Sequence, residues 1–445
     1  MSKRLALFGD LLDIEADPGF AAPGDAAGVR YRPDHWLLVE DGRIVGAEPA
    51  RAGSGPDASW QRVDHAGRLI TPGFIDTHVH CPQLDVIASY GTALLEWLNT
   101  YTFPAELRYA DPLVAASGAE RFVDALLAHG TTSAVVFPTV HKVATEALFA
   151  SARSRGMRLV AGKVLMDRHA PDGLRDDVLQ AERDCAELIA RWHGNGRLSY
   201  AVTVRFAATS TPEQLAMAGR LCREHPGVYM QTHVAENTDE VRWIAELFPE
   251  ARSYLDVYHR HGLLHERAVL AHGIWLDDTD RALLRDTGAQ IAFCPSSNLF
   301  LGSGLFDWQA AVDTGYRVSM ASDVGGGTSL SMLRTLADAY KVQALRGVKL
   351  SAWKAMHAAT RGAAEALGLA HEIGHLGNGV LADLAVWDWA VGPVATHRDA
   401  VARRGRAGVS PLAALHERVF AWMTLGDERN LVATYVAGAC RHERG

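Results

Sequence analysis

The stretch FIDTHVHCPQ, Phe74 to Gln83, closes an apolar run with two imidazoles, His78 and His80, one residue apart. Along a strand, side chains two positions apart leave the same face, so a strand here presents both rings together. Taken alone, the pair reads either as two hydrogen-bonded core histidines or as half of a metal chelate. Which reading holds depends on what else ends in the same place, and therefore on the fold.

Outward from this segment, the middle of the chain alternates between apolar, β-branched stretches and helix-like ones. The strand candidates are residues 73–80, 132–137, 158–165, 200–205, 228–233, 268–272, 289–294 and 317–322. Between them lie stretches such as TPEQLAMAGRLCREH, in which Thr211 can cap a helix and Pro212 suits its first position. Strands alternating with helices in this way predict a (β/α)8 barrel. A doubly wound sheet is the competitor, but no GxGxxG follows the first strand. Both chain ends look β-rich. HWLLVEDGRIVGAEP carries Asp41-Gly42, a dipeptide suited to a tight hairpin, and GVLADLAVWDW and NLVATYVAGAC are further strand candidates. The expected layout is a barrel over residues 72–371 and one small β-sandwich-like domain assembled from residues 1–71 and 372–445. The connection from 81 to 131 is too long for a simple link and contains LLEWLNTYTFPAE, so it reads as a lid or substrate wall, or else as a packed excursion.

Composition narrows the class of function. The 445 residues carry a formal charge of −8, and no dense run of Lys or Arg appears, which argues against nucleic-acid binding. The apolar run after Lys3-Arg4 is too short for a secretory segment, and no window is apolar enough to span a membrane. Five scattered cysteines without a CxxC pair read as reduced thiols of a cytoplasmic protein.

The company of His78 and His80 selects the metal reading. VYMQTHVAE ends a strand at His233, AVLAHG ends one at His272, and RVSMASDVG ends the last at Asp323. A barrel gathers its functional groups at these strand ends. His78, His80, His233 and Asp323 are read as ligands of one divalent ion, with zinc the first choice and iron second. His272 is read as an outer partner that holds the attacking water, and Asp323 as a group that also takes its proton. Bound zinc lowers the pKa of water from about 15.7 towards 7. Glu236, three residues past His233, is read as the carboxyl that carries a proton to a ring nitrogen and then to a leaving amine. Arg205 at the end of the fourth strand needs an acceptor, which is either a substrate group or a structural ion-pair partner. Lys163 has no evident partner in the neighbouring VLMD and is read as structural.

These motifs resemble the amidohydrolase superfamily in its one-metal branch, and within it the guanine deaminase family. PGFIDTHVHCPQ, LLEWLNTYTFPAE, VRF, QTHVAEN, LAHG, CPSSN and SDVGGG carry the likeness, which runs from about residue 70 to 370. One departure is Val204, where the family usually has proline. The resemblance implies zinc-dependent hydrolysis of guanine to xanthine and ammonia by a homodimer. It implies that Gln83 and Arg205 hydrogen-bond the purine edge and that Phe206 and Trp97 pack on the ring, Trp97 otherwise serving as lid core. Another amino-purine, a pterin or a triazine is the alternative substrate; a non-catalytic relative and a peptidase- or lactonase-like hydrolase are the remoter alternatives.

Overall fold

Strand β5 (Phe74–His80) is buried along its entire length, as expected of a barrel strand packed on both faces. This is seen in a computed structural model that describes residues 3–50, 55–91 and 94–445. Residues 1 and 2 of the amino-terminal stretch, and 92 and 93 of the long connection, lie outside the described residues. Contacts divide the chain into two compact units: residues 1–75, 124–133 and 331–445, and residues 76–123 and 134–330.

In the first unit, strands from both chain ends form one seven-stranded sheet. Its members are β1 (Arg4–Ile14), β2 (Val29–Glu40), β3 (Arg43–Pro49), β4 (Gln61–Pro72), β14 (Leu384–Trp387), β15 (Leu431–Val436) and β16 (Ala439–Glu443), in the order β16-β15-β14-β4-β1-β2-β3. β1 and β4 run parallel, and β1 pairs with β2 in antiparallel register. The β2–β3 hairpin turns at Asp41-Gly42, both at positive φ (48° and 80°), which is the geometry that dipeptide favours. Leu7, Leu11, Leu37, Val39, Ile70, Val386 and Tyr435 fill the core against this sheet. The helices between Met332 and Ala366 are grouped with the same unit.

The second sheet is a barrel of parallel strands. β5 is followed by β6 (Thr131–Phe137), β7 (Arg158–Ala161), β8 (Val164–Leu165), β9 (Leu198–Val204), β10 (Tyr229–Val234), β11 (Ala268–His272), β12 (Gln290–Phe293) and β13 (Arg317–Met320). The order is sequential from β5 to β13, with the short β8 pairing to β9 beside β7. The seam between the first and last strands is stitched at its carboxyl end. There the Asp323 N–H donates to the His78 carbonyl and the His80 N–H to the Val324 carbonyl, each at 2.9 Å. Thr211 caps its helix by accepting from the Gln214 N–H, and Pro212 opens that helix, as its sequence predicts. Val204 closes β9 opposite Leu165 of β8.

The third expected strand, 158–165, is broken in two at Gly162. A Cβ there would lie 1.7 Å from the Ala201 carbonyl oxygen of β9, so only glycine admits this approach. Lys163, which follows, does have a partner: it pairs with half-buried Asp176, thirteen residues further along the chain. Residues 94–107 of the long connection fold as a helical turn (Leu94–Trp97), a π-helical turn (Leu98–Thr102) and a further helix (Phe103–Leu107). With Phe137, Val140, Val164 and Met166 they form a second hydrophobic cluster, so the excursion is packed.

The Gly162 contact yields a stability prediction. G162A should lose about 1–3 kcal/mol in urea denaturation, because the backbone of β9 must give way. G46A, whose new methyl meets nothing within 4 Å, should stay within about 0.5 kcal/mol of wild type.

Candidate functional site

Four strand ends of the second unit converge on one point. His78 and His80 leave β5 on one face, His233 comes from β10, His272 ends β11 and Asp323 follows β13. The His80 Nε2 lies 3.2 Å from His78 Nε2 and 3.3 Å from His233 Nε2. Asp323 Oδ1 stands 3.2 Å from His78 Nε2 and 3.3 Å from His80 Nε2. His272 Nε2 is further out, 3.7 Å from Asp323 Oδ2. One donor atom each from His78, His233, His272 and Asp323 also lie within 4.8 Å of one another, so His272 joins the cluster along with His80.

Hydrogen bonds behind the rings orient them. His233 Nδ1 donates to the Arg205 carbonyl at 2.6 Å, and His272 Nδ1 donates to Asn298 Oδ1 at 2.8 Å. Each such bond places the proton on Nδ1 and turns the Nε2 lone pair toward the cluster. His272 Nε2 is buried with no hydrogen-bond partner, a costly state that an O–H donor beside the cluster would relieve. Burial pushes His80 down to about 3 and His233 well below the usual imidazole value, so both stand neutral at pH 7. Burial alone would raise the Asp323 carboxyl, but the facing His78 and His80 hold it well below the ordinary range. Neutral imidazoles and an ionised carboxylate are the ligand states that a divalent ion needs. Tetrahedral bonds of 2.0–2.1 Å separate neighbouring donors by roughly 3.3–3.4 Å, close to the spacings His80 makes with His78, His233 and Asp323 and to that between His78 and Asp323. The residues fit a metal ion.

The backbone bends sharply where the functional side chains leave the strands. His272 and Asp323 have positive φ, 73° and 49°, a conformation that costs a non-glycine residue energy and is held only by the structure around it. Asp76 supplies part of that hold. Fully buried two residues before His78, its carboxylate accepts from the His78 N–H at 3.3 Å, the Ser322 N–H at 3.0 Å and the Ser322 hydroxyl at 2.5 Å.

Glu236 lies beside the cluster. Its Oε2 is 3.4 Å from His272 Nε2, and its Oε1 accepts from the Ser303 hydroxyl at 3.0 Å. Burial first, and the Asp323 charge second, push its carboxyl up to about 8. Glu240 accepts from the Glu236 N–H at 2.9 Å and from the Tyr254 hydroxyl at 2.7 Å, and burial with the Glu236 charge raises it to about 7.

Gln83, Trp97, Arg205 and Phe206 line the same cavity as Glu236 and the cluster. Trp97 belongs also to the hydrophobic cluster of the long connection and donates to the Ser89 carbonyl at 3.3 Å. Arg205 has found its acceptor within the chain: Nη1 donates to Oε1 and Oε2 of Glu106 at 2.6 and 2.7 Å. Burial pushes the Glu106 carboxyl up, against the pull of Arg205 and Gln83. The two short bonds are those of a carboxylate receiving a guanidinium.

Sequence reasoning missed Asp76, Glu106, Glu240, Asn298 and Ser303. Three had a visible signal: Asp76 lies within PGFIDTHVHCPQ, Glu106 ends LLEWLNTYTFPAE, and Asn298 ends CPSSN. The others had none, because burial beside the site is not marked by residue type.

The amidohydrolase family model matches residues 69–440. A guanine deaminase of Escherichia coli (strain K12) is 44% identical over 420 residues, covering 94% of this chain and 93% of that protein. The crystal structure of guanine deaminase from Bradyrhizobium japonicum superposes with a TM-score of 0.94 at 34% identity over 100% of both chains. A guanine deaminase from C. acetobutylicum with guanine bound in its active site has a TM-score of 0.85 at 25% identity, over 98% of this chain and all of that one.

A ligand test follows from the cluster. H233A should retain well under half of the metal carried by wild type, expected at about one divalent ion per chain by elemental analysis. A full complement in H233A would remove His233 from the ligand set.

Proposed function

The chain belongs to the amidohydrolase family, and from that premise we propose that it hydrolyses guanine to xanthine and ammonia. One observation carries the reading. A single cavity is lined by metal donors and Glu236 together with Gln83, Arg205, Phe206 and Trp97. A planar ring between aromatic faces, with directed polar groups at its edge, fits such a wall.

His78, His80, His233 and Asp323 would hold a divalent ion, which would supply the Lewis acidity that makes water a nucleophile near neutral pH. Three imidazoles with one carboxylate suit zinc first, and iron second. The protein groups then move protons. Asp323, ionised and facing the cluster, takes a proton from the attacking water as its oxygen bonds to C2. Glu236, which holds its proton at neutral pH, delivers it to the adjacent ring nitrogen. His272, with its Nε2 lone pair turned inward, accepts a hydrogen bond from the O–H of the attacking water and then of the hydroxyl at C2. Asp323 then passes the proton it took from water to the exocyclic nitrogen while the hydroxyl at C2 gives its remaining proton to Glu236; the C2–N bond breaks, ammonia leaves, the C2 carbonyl of xanthine forms, and both carboxyl groups return to their starting states. Gln83 and Arg205 hold the purine edge, while Phe206 and Trp97 flank its faces.

The proposal includes a homodimer in the cytoplasm, on the likeness of the sequence and on five free cysteines. Among the described residues no helix is long and apolar enough to cross a membrane.

Guanine conversion followed by ultraviolet absorbance, against a panel of amino-purines, pterins and triazines with ammonia release, tests the substrate. Faster turnover of another member overturns it. E236Q should keep the wild-type metal content while turnover falls about 100- to 10,000-fold. Undiminished turnover would take Glu236 out of the proton path.

A further inference from the structure

The long connection contributes a buried acid that the reaction above does not use. Glu106 is fully buried and Arg205 nearly so; Arg205 lines the cavity, and Glu106 pairs with it from outside that lining. Arg205 commits a single nitrogen, Nη1, to both carboxylate oxygens, and its guanidinium lies over the Phe103 ring at 5.2 Å. Phe103 and Glu106 belong to the same short helix, so that helix holds Arg205 from two sides. Glu106 also accepts from the Gln83 side chain. At its other end, Gln83 Oε1 accepts from the Gly325 N–H at 3.1 Å. The Gln83 amide is therefore fixed end for end, with its oxygen toward Gly325 and its nitrogen toward Glu106.

We infer that Glu106 is the positioning residue that sets both the geometry and the charge of the recognition wall, restricting the site to neutral heterocycles with a carbonyl edge. The inference rests on the amino-heterocycle reading of the site. The physical argument concerns charge. A lone buried guanidinium attracts anions strongly, and a planar carboxylate could match its fork in two bonds. With Glu106 bonded at Nη1 the pair is neutral, and an incoming anion meets a fixed negative charge beside the guanidinium after losing its own hydration. A neutral ring whose carbonyl oxygen accepts an N–H carries no such penalty. Guanine has that edge.

The test compares E106Q, E106D and wild type as metal-loaded enzymes, using guanine as substrate and benzoate as a planar anionic probe. In E106Q the uncompensated arginine should bind benzoate about ten-fold or more tightly than wild type does, while kcat/KM for guanine falls at least about ten-fold. Benzoate binding is read by calorimetry, so it does not depend on turnover; guanine inactivity of the wild type would defeat the deaminase reading without touching this one. Benzoate affinity in E106Q within two-fold of wild type, in folded protein, overturns the inference. E106D keeps the charge one methylene short. It should raise the guanine KM at near-normal kcat and leave benzoate affinity unchanged, and it serves as the deciding arm if E106Q does not fold. An unaltered guanine KM in E106D overturns the positioning role.

Discussion

The seam between the first and last barrel strands is the contact on which the rest of the site depends. Asp323 donates its N–H to the carbonyl of His78, and its carboxylate faces the imidazoles of His78 and His80. The hydrogen bond that closes the barrel is thus also the one that sets two ligand residues face to face. Asp76 reinforces it by gripping Ser322 and the His78 N–H from within the same layer. Buried polar groups at such density are costly unless paired, and His272 turns its Nε2 lone pair toward this same cluster.

Charge is divided across the cavity in two self-contained parts. On the metal side, Asp323 is held ionised by the imidazoles facing it, whereas Glu236, a few ångströms away, is driven toward its protonated form by burial and by that same Asp323 charge. Two carboxyl groups in one cavity so acquire opposite proton states, one accepting and one donating, which is how paired acids divide their work. On the recognition side, Arg205 and Glu106 cancel each other. The second part comes from the long connection, whose helical turns pack through Trp97, Leu98 and Phe103 and are therefore rigid enough to hold a carboxylate in place.

Several features were legible because they follow from local chemistry. Alternating strand and helix patterns, the Asp41-Gly42 turn, the Thr211 cap and the four polar strand ends are properties of short segments, and each is found where its residues predict. Other features joined distant segments. Lys163 was matched by Asp176 and not by its immediate neighbours, and Arg205 by a glutamate in a different loop. The split of the third strand at Gly162 arises from a carbonyl on the adjacent strand, which the glycine itself does not disclose.

By itself the sequence determined the barrel, the residues competent to hold a metal, and the class of chemistry, since periodicity and donor type are encoded residue by residue. Only the tertiary structure decided which of those donors share one point, that His272 stands among them, and that the buried arginine is already neutralised by Glu106. The reason is physical. Pairing energies and proton states depend on distance and on exclusion of water, and both are set when segments far apart in the chain are brought within hydrogen-bonding reach.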